Sequence, residues 1–97
     1  MYEIDRDRFK ELKHFCRQYP KWKRELELHP LEERLDIENA LLLIERTASS
    51  CGLYRDWILA FVTNDVSYGR LGLSCDRTTF EYYVRKFYWL LDKRKGV

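Results

Sequence analysis

Glycine and proline are scarce in this chain, with 4 Gly and 2 Pro among 97 residues. That scarcity excludes collagen-like, low-complexity and linker-rich organisation. Without a glycine-rich run there is also no backbone cradle for a dinucleotide or nucleotide phosphate. The 3 cysteines, Cys16, Cys51 and Cys75, are odd in number, far apart and form no CxxC pair. A zinc ribbon or dithiol redox motif is therefore not expected. Leu41-Leu42-Leu43-Ile44 is apolar, but far short of the ~20 residues that span a bilayer. With no leader pattern either, a reducing cytoplasm is the expected compartment.

The 2 histidines, His14 and His29, have no Ser, Cys or carboxylate at a spacing that predicts a triad or a metal site. Glu32, Glu33, Asp36 and Glu38 cluster in sequence, but adjacent carboxylates on one helix diverge, and a bridged metal needs ligands from other helices. The expectation is a protein that is not an enzyme, with no cofactor and no bound metal.

Charge and apolar periodicity are what the chain does carry. The net charge is only +2, yet it is segregated. Arg6, Arg8, Lys10, Lys13, Arg17, Lys21, Lys23 and Arg24 make the first quarter basic. The middle, Glu25 to Asn64, is acidic, and the last third is basic again. A bipolar surface suited to a polyanion partner is one consequence, and solvated helix faces with charges paired between neighbours are the other.

Helical spacing runs through most of the sequence. Phe9, Leu12, Phe15 and Cys16 form one stripe in a helix over Ile4–Gln18. Tyr19-Pro20 predicts a break at Tyr19, because a residue before proline is disfavoured in the helical region. A short helix follows through Trp22, Leu26 and Leu28, closed by His29-Pro30. A third helix runs from Leu31 to about Ser50, with Leu31, Leu35, Ile37, Leu41, Ile44 and Ala48 as its core face and Gly52 as its C-cap. Leu53–Thr63 is nearly all apolar and so central. Val66–Leu71 is a short fifth element. A last helix is capped by Asp76, buries Phe80, Val84, Phe87 and Leu91, and is widened by Tyr83 and Leu90. With no strand alternation, the chain reads as an all-α single domain, 1–97. Residues 1–64 form a helical support region and residues 65–97 a helix-turn-helix-like unit.

In a helix-turn-helix the second helix enters the major groove by its N-terminal end. Arg77, Thr78 and Glu81 occupy that end, and Tyr82 and Arg85 follow one turn on. Arginine can grip guanine with two hydrogen bonds, and threonine offers a methyl and a hydroxyl. Arg85, Lys86 and Lys93 would then meet phosphates.

The last third also resembles a known family through Ser67, Tyr68 and Leu71, then Ser74-Cys75-Asp76-Arg77, Thr79-Phe80 and Arg85-Lys86-Phe87-Tyr88-Trp89-Leu90-Leu91-Asp92-Lys93. It is similar to the phage late-gene transcription regulators of the RinA/ArpU type from Gram-positive bacteria, whose C-terminal part is like region four of sigma factors. The stretch between Leu71 and Ser74 is about one helical turn shorter than in that pattern. The resemblance implies double-stranded DNA binding and transcription regulation, with Arg77, Thr78, Thr79, Tyr82, Arg85 and Lys86 as DNA contacts. A homodimer reading two half-sites is compatible with it.

The alternative reading is a phage-encoded module that binds a host nuclease or polymerase. Its acidic Glu25–Glu45 region would imitate nucleic acid, and Trp22, Tyr88 and Trp89 would anchor the contact.

Overall fold

The computed structural model describes residues 2–64 and 76–95. Among the described residues every regular element is helical: α1 (Arg6–Arg17), α2 (Tyr19–Glu25), a 3-10 turn (Leu26–Leu28), α3 (Leu31–Ser49), a second 3-10 turn (Gly52–Tyr54), α4 (Arg55–Asn64) and α5 (Arg77–Lys95). The all-α expectation holds. The expected element Val66–Leu71 and the turn through Cys75 lie outside the described residues.

Local chemistry sets the helix boundaries. The Asp5 carboxylate accepts from the backbone N–H of Asp7 (3.2 Å) and Arg8 (3.4 Å) at the start of α1, satisfying donors that have no partner within the helix. The break that Tyr19-Pro20 predicts falls one residue earlier, at Gln18, and Tyr19 is helical. Burial and a 2.6 Å hydrogen bond from the Tyr19 hydroxyl to the Glu45 carboxylate outweigh the pre-proline restriction. Pro20 sits in the first turn of α2, where its missing N–H costs nothing.

Two changes to the expected boundaries come further along. α3 ends with Ser50 as its cap, and Gly52 lies two residues beyond, at φ +64°, opening the 3-10 turn that replaces the start of the expected fourth helix. Leu53, assigned by periodicity to that helix, is 91% exposed on this turn.

α4 is central, packing against α1, α2, α3 and α5. The core joins Leu12 and Cys16 of α1, Leu41, Ile44 and Ala48 of α3, Ile58 and Val62 of α4, and Phe80, Phe87, Tyr88 and Leu91 of α5. Aromatic edges interlock within it. Phe61 meets Phe80 at 5.3 Å between centroids, and Phe9 meets Tyr88 at 5.0 Å, both in the offset, edge-on geometry that ring quadrupoles favour.

α3 reaches this core only from Ile37 onward. Leu31 and Leu35, expected inside, are 80% and 60% exposed. α4 and α5 meet α3 along Leu41, Ile44 and Ala48, and the first turns project past them.

Polar ties fix the helix ends. The Arg8 Nε donates to Asp92 at 2.6 Å, locking α1 to α5. Arg94 donates to the Thr47 hydroxyl (3.0 Å) and the Ser50 hydroxyl (2.9 Å), placing a cation at the C-terminal end of α3, where the helix dipole favours it.

Candidate nucleic-acid interface

α5 presents the residues singled out from the sequence. Its start is fixed by Asp76, whose carboxylate accepts the Thr79 N–H at 2.7 Å. That hydrogen bond, with a further one to the Thr79 hydroxyl, holds the Asp76 carboxyl below its ordinary range. With the helix phase set, the 3.6-residue period turns Phe80, Phe87 and Leu91 inward and Thr78, Glu81, Tyr82, Arg85 and Lys93 outward.

The structure gathers four of the seven candidate residues. Thr78, Tyr82 and Arg85 line one shallow recess of about 380 Å³. Arg77 and Arg85 line a neighbouring one of about 450 Å³ whose floor is Phe9, Phe61, Phe80 and Val84. The other three stand apart. Thr79 is half-buried at the cap. Lys86 is half-buried, its ammonium 5.9 Å from the Tyr83 ring centroid. Lys93 lies 5.2 Å over Trp89 near the far end of the helix.

Neighbours that no sequence pattern pointed to also crowd the face. The segment before α1 lies across α5, and the Tyr2 ring packs 5.4 Å from Tyr82 and 5.3 Å from Trp89. The Tyr2 phenol is pushed up by its hydrogen bond to Tyr82 and then by burial. Glu3 joins Thr78 and Arg85 around the smaller recess, and Arg77 is paired with Glu81 at 3.0 Å. This face of α5 is thus mixed in charge. Tyr88, expected as an anchor for a partner, is 3% exposed and belongs to the core. Trp22 is half-buried, edge-on to Phe15 at 5.2 Å.

α1 carries the more uniform basic surface. Arg6, Lys10, Lys13 and Arg17 are all exposed, and their spacing of four, three and four puts them in one row. The row is about 16 Å long at 1.5 Å per residue. Its first member, Arg6, lines a recess of about 480 Å³ together with Glu3 and with Arg85 of α5, so the α1 row meets the α5 face beside a carboxylate.

The two thiols of the core are set for packing. Cys16 is buried, and burial pushes its thiol up to about 12. Cys51 is also buried, and its thiol points at the Thr47 and Tyr83 carbonyls. Among the described residues no three metal-ligating side chains converge, and no helix is long and apolar enough to cross a membrane. Searches of protein-family models, curated proteins and solved structures find no match to this chain.

Proposed function

We propose that the protein binds double-stranded DNA and acts as a transcription regulator. In this reading the N-terminal half of α5 faces the major groove and the α1 row grips the adjoining phosphate backbone. The observation that carries it is the row of exposed cations Arg17, Lys13, Lys10 and Arg6, whose last member shares a recess with Arg85. A row of that length passes several phosphates, since a duplex carries one charge per ~1.7 Å of axis. The regulatory role, and its assignment to phage late-gene control, rests on the resemblance of the C-terminal third.

Two tasks divide the site. Arg77, Thr78, Tyr82 and Arg85 are placed to meet base edges, whereas Lys86, Lys93 and the α1 row supply charge that is blind to sequence. Arg77 must leave Glu81 to reach a base. Tyr2 must move for Tyr82 to do so.

Fluorescence anisotropy with a labelled duplex across a salt series tests the reading. The expected result is affinity that falls steeply with salt. On a preferred site Arg77→Ala should cost about 1–3 kcal/mol. Lys86→Ala should weaken all duplexes alike. No binding at low salt would reject the proposal.

A further inference from the structure

We infer that the segment before α1 is an autoinhibitory strap, in which Tyr2 and Glu3 compete with duplex DNA for the outward row of α5, a control that rests on reading α5 as the DNA-binding helix. Thr78, Tyr82, Arg85 and Trp89 follow one another at four, three and four, so they form one row along the helix. Three of them are among the four residues placed to meet base edges. Tyr2 covers this row. Its ring meets Tyr82 and Trp89 at 5.4 and 5.3 Å between centroids, and so bridges the turn that carries Arg85. The two recesses that Tyr2 and Glu3 line both include Arg85, and the smaller also includes Thr78 and Tyr82.

The chemistry of the strap is that of a competitor. A ring and a carboxylate beside an exposed guanidinium stand in for the two parts of a nucleotide, a flat base and an anion. The Glu3 carboxylate also repels an approaching phosphate. DNA and the strap therefore cannot hold the row together. The strap is attached lightly enough to open. Residues 2–4 are in no helix and make no backbone hydrogen bond among the described residues. Tyr2 is kept on α5 by its ring contacts and by the hydrogen bond between its hydroxyl and Tyr82. Segments held in this way lie at the low end of local stability. Ile4, in contrast, packs against the core, and Asp5 caps α1. Release of Tyr2 and Glu3 thus leaves both helices in place. If only the open form admits DNA, the apparent affinity is reduced by the fraction that is open.

Anisotropy titrations of one labelled duplex at low salt compare the full chain with a chain lacking Tyr2 and Glu3 and with Glu3→Gln. The shortened chain should bind severalfold more tightly, and Glu3→Gln should show a smaller gain in the same direction. Unchanged affinity in the shortened chain would overturn the strap and leave the DNA reading intact. Weaker binding by a shortened chain that melts normally would overturn it too, since Tyr2 would then be a DNA contact. If the shortened chain melts early, Glu3→Gln decides, because Glu3 is exposed and its replacement disturbs no packing; no gain there would sink the strap. Absence of binding by every chain would reject the DNA reading itself, and the strap with it.

Discussion

Replacing Lys10 and Lys13 together by alanine interrogates the α1 row directly. Both side chains are exposed, and neither makes an ion pair among the described residues. Lys13 has only an edge of interaction, 5.7 Å from the Phe9 ring centroid. Alanine is the best helix former, so α1 should persist. Each lysine that neutralises a phosphate contributes about 0.9 to the slope of log affinity against log salt, and the double variant should flatten that slope by ~1.8. Between about 50 and 200 mM salt, a slope of that size corresponds to roughly 12-fold in affinity. The wild type should therefore lose about 12-fold more affinity than the variant over this range. Anisotropy on a generic duplex at five or so salt concentrations measures it, with thermal unfolding as the control for fold. An unchanged slope in a variant that melts normally would refute phosphate contact by α1.

Three further outcomes follow from the fold. Gly52→Ala should destabilise the protein by about 1–2 kcal/mol through left-handed backbone strain alone. Gly52 has φ +64°, and an added Cβ meets no atom within 4 Å. Urea unfolding reads the loss, and an unmoved midpoint would contradict it. Cys16 should resist iodoacetamide at about pH 8 in the native state and react once unfolded, because burial keeps it from forming the thiolate. Peptide mapping by mass spectrometry distinguishes it from Cys75, and native-state labelling at Cys16 would count against its burial. Asp76→Ala should lower the melting temperature at neutral pH but not in acid. The folded carboxyl is held low, so its contribution is present above about pH 4 and lost as pH falls through the folded value. A gap that stayed constant with pH would show that the cap does not act through its charge.

Much of this architecture was legible in the residues, and its errors have physical causes. Periodicity located the helices because an apolar side chain every three or four positions makes one continuous stripe on a helix and scatters over both faces of a strand. Period alone does not say which neighbour arrives, however. α3 has two apolar rows, and α4 and α5 cover only the one containing Leu41, Ile44 and Ala48. Leu31 and Leu35 consequently stayed outside. Tyr88 and Trp89 are adjacent and differ by about 100° round α5. Phe9 of α1 settles which is buried by packing on Tyr88. At the candidate interface, Arg77, Thr78, Tyr82 and Arg85 could be placed on one side from spacing within a single helix. The arrival of Tyr2 and Glu3 could not, because no periodicity links residue 2 to residue 82. The ion pair between Arg8 and Asp92 was equally hidden, being a contact between distant segments.

That ion pair has a consequence for how the molecule is made. It joins residues 84 positions apart, and the hydrophobic faces of α1 and α5 meet around it. As the polypeptide emerges from the ribosome, α1 is synthesised long before the helix that clamps it. Until Asp92 and Tyr88 have been added, Arg8 and Phe9 lack their partners on α5, and α1 has only α2 and α4 to pack against. Docking of α1 on α5 is thereby tied to synthesis of α5, with entropy of a long loop to overcome before the pairing is rewarded. A chain stalled before α5 should be more open to proteases along α1 than the chain that carries α5.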